Sequence, residues 1–258
     1  MTNNTSFNNF LENCTVVLAA GGESSRFKNV PGAAGIQKAA FRLPNGETMI
    51  ERTIKIYRDA GLKNFVILAF HQANSLEELL GDGNTLGVNI TYSYDPEKPV
   101  GRGGAMKHAL ANGSILPDKY LIVHNPDDQI VSDPVSVVHN AISTHLAMSE
   151  QGALATAIMV EGTFYDYSGF KVSEGKVMGA ELYPFISMPT HIGMTIFSPE
   201  VSEYFDRLFD VKEKCDFEAL LFPVLTEEGK LSAHFMPTEA WISVNDEKGL
   251  KKLLKAIE

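Results

Sequence analysis

The chain has 258 residues, 44% hydrophobic and 21% charged, which is ordinary for a globular protein and enough for one sizeable α/β domain. Its 22 basic and 32 acidic residues give a formal net charge of −10, which argues against nucleic acid as a partner, because such binding rests on Lys and Arg displacing phosphate counterions. A small anionic ligand stays open if its pocket is a local island of positive charge and backbone N–H groups.

The two cysteines, Cys14 and Cys215, have no metal-type spacing and read as reduced thiols of a cytoplasmic protein. Residues 1–9 are rich in Asn, Thr and Ser and lack both a basic start and an apolar stretch, so no signal peptide is expected there. No apolar run approaches the roughly 18 residues of a membrane span, and no membrane partner is expected.

Residues 15–20 (TVVLAA) form a predicted strand that stops at Gly21-Gly22. Residues 48–60 place Met49, Ile50, Ile54, Ile56 and Tyr57 mostly at helical spacing, with Gly61 as a C-cap. A continuous apolar run at 65–70 predicts a strand covered on both faces. A short helix at 75–80, a strand at 88–94, a helix at 103–111, a strand at 120–124 and a helix at 133–149 follow. This alternation predicts a mainly parallel sheet. Beyond it, strands are expected at 154–160, 169–172, 176–181 and 192–197, helices near 200–209 and 217–226, a strand at 240–244 and a last helix at 247–257. The fold class is α/β: a Rossmann-like, mainly parallel mixed sheet flanked by helices, with an antiparallel extension in the second half. No linker interrupts it, so residues 1–258 read as one domain.

Three segments carry candidate chemistry. The first strand runs into Gly21, Gly22, Glu23, Ser24, Ser25 and Arg26, where two glycines let the backbone approach a ligand and aim N–H groups at an anion. Arg26 adds a fork suited to phosphate oxygens, and Lys38 follows across a glycine-containing stretch. An ordinary strand-to-helix turn is the alternative; the P-loop and dinucleotide glycine patterns are both absent. Gly103 and Gly104 open a helix, as in an anion-facing terminus or a plain loop. Asp127 and Asp128 end the fourth strand, where open α/β sheets bind ligands, or else cap the turn before the next helix.

VVLAAGGESSRF, then Lys38, then PNGETMIERTI resemble the opening signature of the nucleotidyltransferase superfamily: a strand, L-A-G-G-x-G-T-R-[LM], a Pro-Lys and a "G-x-P-M-I-E-x-T" helix start. That superfamily includes the sugar-1-phosphate nucleotidylyltransferases and related cytidylyl- and molybdopterin guanylyl-transferring enzymes. Ser24 replaces a glycine of the signature and Gln37 its proline. The resemblance implies the nucleotide-diphospho-sugar transferase fold, with residues 1–150 as the nucleotide half and 151–258 as the sugar or acceptor half. It places base, ribose and phosphates on Ala20, Gly21, Gly22, Glu23, Ser24, Ser25 and Arg26, with Gly103 and Gly104 beside the base and Lys38 near the α-phosphate. Asn125-Pro126-Asp127 is similar to the family's Asn-Gly-Asp, making Asp127 the ligand of a Mg²⁺ ion, with Asp128 the competing assignment.

Acceptor-side landmarks are weaker. Gly169 and Glu181 resemble the hairpin glycine and the Glu of "E-K-P", although Leu182 stands where its lysine would be. His191 falls on the "N-A-G" position, and Arg102 replaces a threonine, so either could hold an acceptor phosphate with Asn125. Ser243 stands where relatives have a second metal Asp, leaving Asn245 or Asp246 as substitutes. The implied reaction transfers a nucleoside monophosphate from a nucleoside triphosphate to a sugar 1-phosphate or similar phosphorylated acceptor, releasing pyrophosphate. It requires Arg26, Lys38 and Asp127 to face one cavity. A glycosyltransferase of the nucleotide-sugar-binding fold and a catalytically degenerate binding protein are the alternatives. The base, the acceptor and any homo-oligomer are left open.

Overall fold

The computed structural model describes residues 4–257; Met1–Asn3, part of the segment read for targeting signals, and Glu258 lie outside the described residues. The first part of the chain forms α1 (Asn4–Glu12), β1 (Cys14–Ala19), α2 (Met49–Asp59), β2 (Asn64–Ala69), α3 (Ala73–Leu80), β3 (Asn89–Tyr94), α4 (Gly101–Ala111), β4 (Tyr120–His124), β5 (Asp128–Ile130) and α5 (Pro134–Ser149). Strands β6 (Ala155–Val160), β7 (Thr163–Phe164), β8 (Ser168–Ser173), β9 (Lys176–Leu182), β10 (Phe185–Ile186) and β11 (Thr190–Phe197) follow. The chain then runs through α6 (Val201–Leu208), α7 (Phe217–Glu227), β12 (Leu231–Phe235), β13 (Trp241–Ser243) and α8 (Glu247–Ile257).

Seven strands pair in the order β12-β6-β11-β4-β1-β2-β3. Strands β1 to β4 are parallel, β11 is antiparallel to both its neighbours, and β12 runs parallel to β6. The α/β expectation therefore holds, with one correction: β11 alone reverses direction in this sheet. Strand β12 was invisible in the sequence pattern, being five residues long with a half-exposed face. Short strands β5, β7 and β10 and helix α1 were also unexpected; α1 sits in the Asn-rich start, where Phe7, Phe10 and Leu11 share one helical face and Phe10 is fully buried.

The sheet is apolar on both faces because alternate β1 residues serve different layers. Val16 and Leu18 pack with Ile50, Ile54 and Tyr57 of α2, Leu76 of α3 and Ile142 of α5. Val17 packs with Met106 of α4, Phe205 of α6 and Leu221 of α7. Helix α2 starts at a capping box: Glu51 N–H donates to Thr48 Oγ1 (3.3 Å) and Thr48 N–H to Glu51 Oε2 (2.8 Å), a device worth about 1 kcal/mol. A third cluster joins Phe27, Val30 and Leu43 of the segment after β1 to Val244, Leu250 and Leu253 near the C-terminus. That cluster brings residues 38 and 245 together from opposite ends of the chain.

The connection leaving β1 goes to β2, whereas β4 pairs on the other side of β1. The chain thus reverses its direction of build-up between β1 and β4. Open α/β sheets leave a ligand crevice beyond the strand ends at such a point.

Candidate active site

Immediately after β1, Ala20 N–H donates to Leu68 O (2.9 Å), continuing the strand by one residue before the chain turns away. Gly21, Gly22, Glu23, Ser24 and Ser25 then wall a cavity of about 460 Å³, closed opposite by Arg102, Lys214, Asp95 and Asp216. A Cβ added at Gly22 would meet nothing within 4 Å, so packing does not demand glycine there; the bare backbone faces the cavity. Ser24 takes the left-handed conformation at φ 50°, the conformation glycine favours. Ala20 itself is buried and its carbonyl accepts from Gln37 Nε2 at 2.7 Å.

Gln37, in the place of the expected proline, thereby ties the following turn to the glycine loop. Its Oε1 also accepts from Ala39 N–H, capping the short helical turn that carries Lys38. Lys38 Nζ donates to Asp127 Oδ2 and, at 3.3 Å, to Asn245 Oδ1. Asp127 is held by its own backbone as well, its carbonyl accepting from Val244 N–H at 2.8 Å.

Asp128 has a different environment. It is buried, on β5 paired with β13, and accepts from Asn125 Nδ2 (3.1 Å) and Trp241 Nε1 (3.1 Å). Burial, then the neighbouring Asp127 charge, pushes its carboxyl well above the usual carboxylate range. Asn125 Oδ1 in turn accepts from an Arg102 guanidinium nitrogen at 3.3 Å. A polar chain Arg102–Asn125–Asp128–Trp241 therefore runs from the wall of the first cavity to a second one. The second cavity is larger, about 1140 Å³, and Trp241, Ser243, Asn245 and Asp246 line it with Arg26, Lys248 and Lys252. Of the Lys38–Asp127–Asn245 group, Asn245 lines this second cavity, whereas Lys38 and Asp127 line neither.

The structure does not bring all the expected residues together. Arg26 is exposed and lines the second cavity, so it does not share the first with residues 21–25; among the described residues only Lys38 and Asp127 of the expected trio are in contact. Gly103 and Gly104 are buried: a Cβ at Gly103 would lie 2.0 Å from the Phe209 ring, and one at Gly104 would lie 2.8 Å from Val100 Cβ. Helix packing explains these glycines, while Gly101, Arg102 and Ala105 reach the first cavity. Gly169 and Glu181 are cross-strand partners on the β8–β9 ribbon and line a separate depression of about 370 Å³. Neither cavity is an island of positive charge, since Glu23, Asp95 and Asp216 line one and Glu161, Asp166, Glu239 and Asp246 the other.

Two residues were missed. Glu218 pairs with Arg102 (2.8 Å) and lies 3.9 Å from His191 Nδ1, while its Oε2 is buried without a partner. Gly193 has φ 73°, and a Cβ there would fall 2.3 Å from Asn125 Nδ2 and 2.4 Å from Asp128 Oδ2, so only glycine fits beside the carboxylate strand. His191 Nε2 donates to Met194 O at 2.9 Å, and burial lowers the ring to about 4. His124 is likewise lowered to about 4 by burial, with Tyr57 Oη 2.8 Å from its Nδ1 and its Nε2 unpartnered. Both rings are neutral near pH 7.

Among the described residues no cluster of three or more His, Cys, Asp or Glu side chains could hold a metal. Asp127 and Asn245 nevertheless turn two oxygens toward one cation, the Lys38 ammonium. One carboxylate and one amide oxygen suit Mg²⁺ when phosphate oxygens and water complete its shell. Asp246 is turned to another task, accepting from Gly249 N–H at 2.9 Å at the start of α8.

Two solved structures share this architecture. A structure from Bacillus anthracis described as a glucose-1-phosphate thymidylyltransferase in complex with sucrose superposes with a TM-score of 0.70 at 16% identity, covering 95% of each chain. HddC from Yersinia pseudotuberculosis gives 0.67 at 20% identity over 95% of this chain and 99% of its own. A UTP–glucose-1-phosphate uridylyltransferase of Synechocystis sp. is 24% identical over 197 residues, 70% of this chain and 48% of that protein, so the chain spans about half the length of that relative. Residues 15–246 match the family described as Nucleotidyl transferase, and the chain belongs to that family.

Proposed function

We propose that the protein transfers a nucleoside monophosphate from a nucleoside triphosphate to a sugar 1-phosphate, releasing pyrophosphate. The observation that carries this reading is the Lys38–Asp127–Asn245 group, which meets the second cavity at Asn245, in a member of the nucleotidyl transferase family. The triphosphate would lie along the glycine loop, its phosphates reached by the backbone of residues 21–25 and by Lys38. The acceptor phosphate would approach from the Arg26 side, with Asn125, His191 and Arg102 on the flank. An acceptor oxygen attacks the α-phosphorus, the bond to the β-phosphate oxygen breaks, and pyrophosphate leaves with the electron pair. The protein's part is to align two anions at about 3–3.5 Å and offset their charge.

Two of its cations already have acidic partners: Lys38 faces Asp127, and Arg102 faces Glu218 and Asp216. A bound Mg²⁺ at Asp127 and Asn245 would add positive charge beside the phosphates. We also assign residues 1–258 to one domain, the 1–150 half binding nucleotide and the 151–258 half the acceptor; strands from both halves in one sheet support this. A cytoplasmic location fits the free Cys14 and Cys215, and no helix among the described residues is long and apolar enough to cross a membrane.

The test is incubation with each nucleoside triphosphate, Mg²⁺ and a panel of sugar 1-phosphates. Pyrophosphate should appear with at least one pair. Release of nucleoside diphosphate from a nucleotide sugar would replace this reading with glycosyl transfer. Triphosphate binding without turnover across the panel would make the chain a degenerate binder.

A further inference from the structure

Arg102 is held by consecutive residues of one segment, Cys215 to Glu218. Cys215 N–H donates to Val100 O and Gly103 N–H donates to Cys215 O, each at 2.9 Å. Gly101, at φ 74°, permits that approach, since a Cβ there would lie 2.5 Å from Cys215 O. Asp216 Oδ1 accepts from Arg102 N–H (3.0 Å) and from its Nε (3.3 Å). The guanidinium carbon lies 5.4 Å from the centroid of the Phe217 ring. Nη1 is 2.8 Å from Glu218 Oε1 and also donates to Asn125 Oδ1 at 3.3 Å. Backbone, ring and two carboxylates thus fix a side chain that is free to take many rotamers elsewhere.

Stability alone does not explain this clamp, because Glu218 Oε2 is buried with no partner among the described residues, and such an atom costs stability. Nor does the clamp use the whole fork. Nε and Nη1 are engaged, while Nη2 and its N–H donors make no hydrogen bond with the described residues. Arg102 keeps 28% of its side chain exposed and, with Asp216, lines the first cavity across from the glycine loop. We propose that Arg102 is a pre-set anion fork of the first cavity, and that Glu218 is the positioning residue that turns Nη2 toward one phosphate group there. A guanidinium already fixed in place gives up little further freedom on binding, so the clamp favours the ligand although its carboxylates oppose the charge. The phosphate belongs either to the triphosphate along the glycine loop or to the sugar 1-phosphate on the flank. That choice of sources rests on the function proposed above, whereas the fork itself does not.

The experiment is isothermal titration of the full chain with ATP, GTP, CTP and UTP in the presence of Mg²⁺ and, separately, with glucose 1-phosphate. Arg102→Lys, which keeps the charge and loses the fork, should weaken one of the two ligand classes by roughly tenfold or more and so name the source. Glu218→Gln keeps the length and an acceptor for Nη1 while removing the opposing charge, so it should bind that ligand at least as tightly as wild type. Glu218→Ala should bind it about three- to tenfold more weakly than Glu218→Gln. Glu218→Asp, too short to reach Nη1, makes the same comparison if the alanine variant does not fold. Equal affinities for the glutamine variant and the shortened one would reduce Glu218 to a charge and overturn the proposal. Wild-type affinity of Arg102→Lys for both ligand classes, or no binding of any of these ligands by the wild-type chain, would overturn it as well. Binding that depends on Arg102 without pyrophosphate release would support the fork and remove the transferase reading instead.

Discussion

Lys38→Met isolates the contact on which the site is built. Methionine keeps most of the apolar stem of lysine and removes the ammonium that bridges Asp127 and Asn245. The two side chains of the pair are only 11% and 19% exposed, so Asp127 would be left largely desolvated without its counter-charge. At an effective dielectric constant of about 20, two unit charges in contact attract by about 4 kcal/mol. Breaking a fully buried pair from one side costs about 3–5 kcal/mol. Because Asp127 keeps some access to water, about 2–3 kcal/mol is expected here. For a chain of this size that is a fall in Tm of roughly 4–12 °C, read by circular dichroism without ligand. Nucleotidyl transfer should fall at least a hundredfold in the same variant, on the order of the loss of one charge-stabilising donor. A Tm unchanged within about 1 °C would mean that Asp127 is hydrated in solution and that the lysine is not holding it.

Gly103→Ala should destabilise the protein although alanine is the better helix former, because its methyl would lie 2.0 Å from Phe209 Cε1 in a ring that is only 3% exposed. Overpacking of this kind costs about 1–3 kcal/mol, measurable by urea unfolding, while nucleotide affinity in the folded fraction should change less than about threefold if the glycine serves packing alone. Stability should also fall with acidity: burial lowers His124, His145 and His191 to about 4 each, so between pH 6.5 and 4 the unfolded chain binds protons that the folded one refuses. Asp128 works in the opposite sense, since its raised folded value stabilises the folded state as pH drops through its titration. His145→Gln, remote from the cavities and bonded to Thr156 and Ser198, should therefore flatten the acid limb of the unfolding profile by up to about 1.4 kcal/mol per pH unit; an unchanged slope would show that the ring is solvated.

Much of this was readable from local pattern. The strands at 15–20, 65–70 and 120–124 are apolar on both faces, and the Thr48–Glu51 box fixes the start of α2 before any tertiary contact is considered. Motif order suggested that Lys38 and Asp127 lie on the same side of the sheet, beyond the ends of β1 and β4, but not that they would form an ion pair. What was illegible depends on packing across the chain. Nothing near Gly103 indicates that Phe209 will press on it, and nothing near Arg26 shows that the Phe27–Leu253 cluster turns it toward the second cavity. Glu218 becomes part of the site only because α7 lies beside Arg102. Gly193 did leave a trace, in its place two residues after His191, but its reason is a carboxylate on a strand some sixty-five residues earlier.

The central claim is that Asp127 anchors the metal that carries the triphosphate. Isothermal titration of nucleoside triphosphate into the wild-type chain and Asp127→Ala, each with and without Mg²⁺, addresses it directly. Wild-type affinity should rise at least tenfold on adding Mg²⁺, and this gain should vanish in Asp127→Ala. The same gain in both proteins would contradict the account.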